Sequence, residues 1–401
     1  MTALDVFYGD DDDTTGRLLS DGERPSFRYD SWANRRRPLS ASLPVDDKAH
    51  AITFFENLLP DGVQRERLAK RLGISDTSTL AMLAAVGGDC AGALTISPEG
   101  EPRRASKPRR LVDDALFREL RESGVMPTLI NQGVRLSLAG AQDKIAVVLE
   151  DDSMFLPGDD APSTHIVKLD SATYRGIVSN EHLSLSLARE IGLMTAPARI
   201  QRLHGERVLV VERFDRAGTS RLHQEDFCQA TSHPPSKKYE SDGGPTLGTV
   251  ASLLGRETTE PRDLFALVEW QAFNVAIGNC DGHAKNLALL RDPRVRLAPF
   301  YDLVCKRAWS SLSPSLAFSV GGERDPGHVG PKAWSRLAKE MQMSPKRVVS
   351  LARSIAERVD GALPRVAARV VDEGADRGVV EHVARTIGEH ARRALTLHDA
   401  G

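Results

Sequence analysis

Asn279-Cys280-Asp281-Gly282-His283-Ala284-Lys285-Asn286 is the stretch on which the reading of this chain turns. It follows a helical pattern over Pro261–Gly278 and precedes a short apolar run, Leu287–Leu290. Asp281 and Asn286 stand five positions apart, D-x-x-x-x-N. One tight loop then offers a carboxylate that can accept a hydroxyl proton and, a loop-width away, an amide oxygen that can bind a metal ion. That pairing serves phosphoryl transfer. Sixteen residues after Asn286, at the end of Phe300-Tyr301-Asp302, comes Asp302, which would supply a second metal ligand. Taken alone, the spacing occurs by chance in many proteins, and Asp281 reads as a turn or helix-cap aspartate. The ordered set of loop, apolar strand and second aspartate overrides that plainer reading. His283 and Lys285 lie inside the loop and are expected to touch phosphate or to hold the loop. A zinc site on Asp281 and His283 lacks a third ligand at suitable spacing.

Working outward, phosphate needs a cation. Lys168 sits in the strand-like run His165-Ile166-Val167-Lys168-Leu169. A lysine on a buried strand is costly without an anionic partner, and the following helical pattern, Asn180–Ile191, offers Glu181. Before Lys168, Ser137-Leu138-Ala139-Gly140-Ala141-Gln142-Asp143-Lys144 joins two apolar runs with small residues, as a phosphate-covering loop would. It is neither G-x-G-x-x-G nor a Walker A loop, and by motif rules alone it is a hairpin turn. Val210–Asp215 ends a strand and begins the helical part, placing Glu212 and Phe214 where a hinge would meet an adenine.

The rest of the pattern fits a two-lobed molecule. Strand signals fall at Lys144–Leu149, His165–Leu169 and Arg207–Val211, and nearly vanish after residue 215. Helical periodicity covers Pro261–Gly278, Pro331–Lys339, Pro345–Val359 and Gly361–Leu397. A β-rich lobe followed by a larger helical lobe is the broad shape of a protein kinase. Ahead of it, residues 1–100 read as a small mixed domain. Its strands are expected at Leu4–Tyr8, Phe27–Tyr29 and Ala93–Ile96, and its helices at Ala49–Asn57, Val63–Leu72 and Ser78–Val86. The last helix would be capped by Asp76 or Ser78 and ended by Gly87-Gly88. Asp10–Asp13 reads as a solvated turn, and Glu101–Arg110 (EPRRASKPRR) as a basic, Pro-containing linker. The expected fold class is therefore α+β: a kinase-like bilobal fold with a β-rich N-lobe and an all-helical C-lobe, preceded by a small mixed subdomain. The expected boundaries are 1–105, 106–214 and 215–401.

Composition agrees with an ordinary folded chain. Of 401 residues, 41% are hydrophobic and 27% charged, which excludes collagen-like, mucin-like or wholly disordered classes. Fifty-three Lys and Arg against 55 Asp and Glu give a net charge of −2, so bulk electrostatics demand neither nucleic acid nor membrane. The four cysteines, Cys90, Cys228, Cys280 and Cys305, lack C-x-x-C spacing and read as reduced buried thiols. The acidic start MTALDVFYGDDDDTTG has no signal-peptide pattern. The best apolar window, Leu264–Ile277, is interrupted by Glu269 and Gln271. The expected compartment is the cytoplasm, with no membrane partner.

The pieces together resemble one family, the HipA-type serine/threonine kinases, toxins of bacterial toxin–antitoxin modules. The resemblance is carried by Pro38-Leu39-Ser40 with Ser42-Leu43-Pro44, Phe54-Phe55 with Leu58-Leu59-Pro60, and SLAGAQDK (Ser137–Lys144). It continues in His223–Phe227 (HQEDF) with Gln229-Ala230, and in Lys238-Tyr239-Glu240 with Gly243-Gly244-Pro245. It ends in DGHAKN (Asp281–Asn286) and LAPFYD (Leu297–Asp302). It implies an ATP- and Mg2+-dependent kinase with Asp281 as catalytic base and Asn286 and Asp302 as magnesium ligands. Lys168 would sit on the ATP phosphates with Glu181 as its ion-pair support, and His283 and Lys285 beside them. The loop of Ser137, Leu138, Ala139, Gly140, Ala141 and Gln142 would cover those phosphates, and Glu212 and Phe214 would frame the adenine. Ser137 would be the autophosphorylated serine whose modification moves the loop out and silences the enzyme. The implied partners are a HipB-like helix-turn-helix antitoxin, operator DNA reached through that antitoxin, and a protein substrate such as an aminoacyl-tRNA synthetase. One departure from the family pattern is the hydrophilic insert Trp309–Ser315. Two rival readings are an inactive pseudokinase scaffold acting only as co-repressor and a small-molecule phosphotransferase. The intact set Lys168, Asp281, Asn286 and Asp302 argues against the first, and the KYE…GGP and HQEDF pieces against the second.

Overall fold

Four consecutive buried residues, Leu4 to Phe7, lie on the first strand of a sheet, and the computed structural model shows what it packs against. The structure describes residues 2–20, 25–31, 38–44, 51–101, 110–137, 142–158, 162–171, 173–218, 220–258 and 260–399. The chain divides into two units: Met1–Leu169 with Val211–Pro235 and Leu290–Pro293, and Asp170–Val210 with Ser236–Leu289 and Arg294–Gly401.

The first unit opens with β1 (Thr2–Tyr8), β2 (Thr14–Ser20), β3 (Ser26–Tyr29), α1 (Ala51–Glu56), α2 (Gly62–Leu72), α3 (Thr79–Val86) and β4 (Leu94–Pro98). The sheet order is β3-β2-β1-β4, with β1 antiparallel to both neighbours. Leu4 and Val6 are buried, and Asp5 between them pairs with Arg17 on β2 at 3.0 Å. Phe27 meets Phe55 at 5.2 Å, and Phe54 stands edge-on to Phe55 at 5.2 Å. Expected strands and helices recur here, except that β2 escaped notice. Its Gly16 is a poor strand former, yet it is required. A Cβ there would come within 2.5 Å of the Arg28 carbonyl oxygen and 2.6 Å of the Phe27 ring. Ser78 takes the N-cap position of α3 without a side-chain hydrogen bond, and Gly87 ends the helix.

The first unit continues with β5 (Arg110–Leu111), α4 (Asp114–Ser123), α5 (Val125–Asn131), β6 (Lys144–Glu150), β7 (Ser153–Leu156) and β8 (His165–Leu169). Asp113 caps α4, its carboxylate accepting from Leu116 N at 2.8 Å. The strands lie in the order β5-β7-β6-β8. Most of the basic linker, residues 102–109, lies outside the described residues.

The second unit begins with α6 (Ile177–Glu190), then β9 (Ala198–Leu203) and β10 (Glu206–Glu212). His204 and Gly205, with φ of 50° and 88°, form the two-residue turn between those strands. The chain then returns to the first unit with β11 (Arg216–Ala217), β12 (Ser220–Arg221), β13 (Gln224–Asp226) and α7 (Phe227–Ala230). Back in the second unit come α8 (Leu247–Glu257), α9 (Arg262–Ile277), β14 (Ala288–Leu290), β15 (Arg296–Leu297), α10 (Pro331–Glu340), α11 (Pro345–Asp372) and α12 (Arg377–Asp399). Short strands therefore persist after residue 215, where an all-helical lobe was expected. No helix among the described residues is long and apolar enough to cross a membrane.

One helix boundary differs from expectation. Gly361 does not break the chain; α11 runs through it and through Pro364 to Asp372. Both residues face solvent, so they cost about 1 and about 3 kcal/mol. Val348, Ile355, Val359, Leu363, Val366 and Val370 on the other face are buried, each stabilising by roughly 1.5–3 kcal/mol. Packing against α6, α9, α10 and α12 outweighs the local defects. The break comes instead at Gly374, whose φ is 102°.

A buried charge cluster ties distant segments of the first unit together. Asp89 accepts from Arg216 and Arg221, each at 2.8 Å, and from the Ser163 hydroxyl at 2.5 Å. Arg213 pairs with Asp215 at 2.7 Å and donates to Ser163 at 2.9 Å. Burial opposes ionisation of both carboxyls, but the guanidinium charges outweigh it: Asp215 is pulled down to about 2 and Asp89 lower still. A carboxyl depressed below its unfolded value contributes stability that is present above about pH 5 and lost as pH falls toward 2. Asp89→Asn should therefore cost about 3–5 kcal/mol at pH 7 and flatten the acid side of the stability curve. Urea unfolding at pH 7 and pH 4 checks both, and equal stability of the two proteins at pH 7 would contradict the cluster's role.

Candidate active site

The site loop starts where α9 must stop. Gly278 adopts φ 67°, and its N–H turns back to the Val275 carbonyl at 3.3 Å. Asn279 then fastens the loop. Its amide donates to Asn274 Oδ1 at 2.9 Å, while its own Oδ1 accepts from Asp281 N at 3.1 Å. His283 N donates to the Asp281 carbonyl at 2.8 Å, and Asn286 N to the His283 carbonyl at 2.9 Å. Gly282 passes so close to α9 that a Cβ would lie 2.8 Å from Asn274 Nδ2.

This winding sets the two functional groups apart. Asp281 is partly open, its side chain 31% exposed. Its Oδ1 accepts from the Tyr239 hydroxyl at 2.6 Å, and its Oδ2 faces Lys306 Nζ at 2.9 Å. Burial would raise its pKa, but His283, Lys306 and the Tyr239 hydrogen bond together hold the carboxyl below the usual range. It is ionised at neutral pH. Asn286 is buried; its Nδ2 donates to Asp302 Oδ2 at 2.9 Å, while its Oδ1 is buried with no hydrogen-bond partner among the described residues. A buried amide oxygen beside a carboxylate is the hard oxygen donor set that Mg2+ takes, with water and phosphate completing the shell. The residues fit such an ion. Asp302 is held at φ 57°, a left-handed conformation that costs a non-glycine residue free energy. Asn180 on α6 clamps the chain just beyond it, accepting from Cys305 N at 2.8 Å and donating to Cys305 O at 3.0 Å.

The other sequence-predicted residues fall as follows. His283 and Lys285 are buried in the loop wall, and the His283 ring stands edge-on to Tyr239 at 5.1 Å. Glu181, next to Asn180 on α6, is buried. In the first unit, Lys168 is buried on β8, opposite Lys144 in register. Gln142 Nε2 donates to Leu169 O at 3.2 Å, and Asp143 O accepts from Leu169 N at 3.0 Å, fixing one end of the small-residue loop to β8. Leu138, Ala139, Gly140 and Ala141 lie outside the described residues. Ser137 is not on an open loop: it is fully buried, its hydroxyl donating to Leu58 O at 2.6 Å. Glu212 is exposed and Phe214 half-buried, while the alternate residues Arg213 and Asp215 point into the charge cluster. The insert at Trp309–Ser315 is largely exposed, but Pro314 O accepts from the Cys280 thiol at 3.1 Å.

Sequence reasoning missed Tyr239, Asn274, Asn279 and Lys306 as site residues. The Asn274-to-Asn279 spacing spans a helix end and was readable in principle. Lys306 carries no motif signal toward Asp281 twenty-five positions earlier.

Known proteins resemble this chain over most of its length. Residues 4–97 match the HipA N-terminal domain and residues 136–363 the HipA-like C-terminal domain. Y4mE of Sinorhizobium fredii, named as a kinase, is 36% identical over 377 residues, covering 88% of this chain and 89% of that protein. The serine/threonine-protein kinase toxin HipA of Shewanella oneidensis is 29% identical over 360 residues, covering 84% and 82%. A solved structure of the Shewanella oneidensis toxin–antitoxin system, HipA with HipB and operator DNA, superposes with a TM-score of 0.84 at 26% identity. That match covers 99% of this chain and 98% of the other. With its C-terminal match spanning more than half of the sequence, this chain belongs to the HipA family.

Proposed function

We propose that the chain transfers the γ-phosphate of ATP, bound with Mg2+, to a serine or threonine hydroxyl of a protein. The observation that carries this reading is the loop pairing of an ionised Asp281 with the buried Asn286 Oδ1, unpartnered among the described residues, beside Asp302. Asn286 and Asp302 would hold the magnesium ion, which neutralises charge on the transferring phosphates. Asp281 orients the acceptor hydroxyl. The hydroxyl oxygen attacks the γ-phosphorus, the bond to the bridging oxygen breaks, ADP leaves with that electron pair, and the hydroxyl proton passes to Asp281. Lys168, supported by Glu181, takes the α- and β-phosphates, with His283 and Lys285 near them. Ser137, Leu138, Ala139, Gly140, Ala141 and Gln142 cover the phosphates, and Glu212 and Phe214 frame the adenine. In this reading residues 1–105 form the N-terminal subdomain, 106–214 the kinase N-lobe and 215–401 the C-lobe. The partner is a HipB-like antitoxin through which the kinase meets operator DNA, and the substrate is a translation component such as an aminoacyl-tRNA synthetase. The solved Shewanella oneidensis assembly supports the antitoxin and DNA part.

Asp281→Asn should lower phosphoryl transfer about 10²–10⁴-fold, and Asp302→Asn should abolish it by removing a metal ligand, both with the fold intact. The checks are radiolabelled ATP transfer alongside thermal unfolding. Growth arrest on induction of Asp281→Asn equal to wild type would contradict the kinase mechanism.

Autophosphorylation at Ser137 has a structural consequence. The hydroxyl is buried, so a phosphate of about −1.5 to −2 charges cannot remain where Ser137 sits. Modification must expel the segment and break the bond to Leu58 O. Incubation with ATP and magnesium should add one phosphate, mapping to Ser137, and should open the nearby chain to protease. ATP affinity of the modified form should fall at least about tenfold, as measured by calorimetry. A phosphate mapping elsewhere, or unchanged affinity, contradicts this part of the reading.

A further inference from the structure

We infer that Tyr239 and Lys306 are positioning residues for Asp281, holding one carboxylate oxygen each so that the acceptor hydroxyl meets a base of fixed orientation. The inference rests on reading Asp281 as that base. Tyr239 OH reaches Oδ1 at 2.6 Å and Lys306 Nζ reaches Oδ2 at 2.9 Å. Each carboxylate oxygen has two lone pairs, so each keeps one for the substrate. The carboxylate can neither swing toward solvent nor rotate without losing a charge-assisted bond.

Both donors are themselves fixed, which separates them from a chance surface contact. Tyr239 lies on a short segment pinned on several sides. Gly244 N donates to Tyr239 O at 3.0 Å, and Ala284 N, within the site loop, donates to Lys238 O at 3.2 Å. The Glu240 carboxylate accepts from Ser319 N at 2.7 Å and Ser319 Oγ at 2.8 Å, and pairs with Arg324 at 3.2 Å. A Cβ at Gly244 would come 2.1 Å from Lys237 O, so only glycine lets the segment fold back this tightly. Lys306 follows Cys305, whose backbone Asn180 holds at both ends, and Arg307 N donates to Gly278 O at 3.2 Å. Base, tyrosine and lysine thus come from three chain segments, each locked by its own hydrogen bonds, as a site held to sub-ångström tolerance requires.

The chemistry favours positioning over basicity. In a loose phosphoryl-transfer transition state the acceptor proton leaves late, so orientation outweighs proton affinity. A cation beside the base weakens its basicity but keeps it ionised and still. The charged or titratable groups facing Asp281 are His283 and Cys280 on its own loop, Tyr239 on the folded-back segment and Lys306 beyond Asp302.

The test uses the full chain and four variants: Tyr239→Phe, Lys306→Met, Lys306→Arg and Asp281→Asn. Tyr239→Phe should lower kcat about tenfold and Lys306→Met up to about 10²-fold, with the KM for ATP unchanged. Lys306→Arg should restore most of the loss. Because the base must be ionised, activity falls on the acid side. Removing the Lys306 charge raises the pKa of Asp281, so the acid limb of kcat should move to higher pH by about half to one unit. A carboxyl-carbon NMR titration of Asp281, assigned through Asp281→Asn, should show the same upward movement in Lys306→Met without any turnover. If Asp281→Asn is inactive while Lys306→Met matches wild type in kcat and acid limb, the positioning inference falls and the base assignment stands. If Asp281→Asn is as active as wild type, the base assignment itself falls. A titration midpoint unmoved by Lys306→Met overturns the inference whatever the activity.

Discussion

Asp89 binds through both its backbone and its side chain. Its N–H donates to Arg135 O at 2.9 Å, its carbonyl accepts from Ser137 N at 3.2 Å, and its carboxylate meets Arg216, Arg221 and Ser163. A carboxylate removed from water is tolerated only when partners replace its hydration. Here the two arginines come from a segment more than a hundred residues away, and Ser163 from one 74 residues away. One residue thereby fixes the entry to the small-residue loop at Ser137 through its backbone and the chain around Arg213–Arg221 through its charge. The first unit depends on it for order rather than for net stabilisation, since buried ion pairs contribute little beyond a well-packed apolar substitute.

The second unit applies the same constraint to chemistry. Asp281 remains partly exposed, yet its oxygens are held by Tyr239 and Lys306. Asn286 differs in kind: its amide nitrogen is satisfied by Asp302 and its oxygen is left over. An orphaned buried oxygen costs roughly 1–3 kcal/mol, and a left-handed Asp302 adds local strain. A hard cation beside Asn286 would satisfy that oxygen.

Ser137 illustrates how burial changes the meaning of a residue. In the sequence it belongs to a run of small residues that reads as a mobile turn. In the fold its hydroxyl is closed against Leu58 O, and its backbone is paired with Asp89. A residue so placed has one well-defined state, in which a charged group on its hydroxyl would not be accommodated.

Much of the molecule was legible in its order of residues. Asp281 and Asn286 share one loop, so their spacing alone set their relation. Gly278 ended its helix because only a residue tolerant of positive φ fits there, and Lys168 lay on a strand whose apolar run marked it as buried. These are local matters, decided within a few residues by backbone sterics and hydrophobic period. Tertiary structure decided the rest. Strand β2 was hidden because Gly16 is explained only by Phe27 and Arg28 across the sheet, and α11 ran through Gly361 and Pro364 because its buried face outweighed two local defects. Arg213 and Asp215 turned inward, alternating with the Glu212 and Phe214 that the sequence singled out, because they pair with each other and Arg213 faces Asp89. Lys306 came to Asp281 from twenty-five residues away for a reason no motif records. Charge pairing acts through space, and its cost or benefit depends on a desolvation that exists only once the chain has folded.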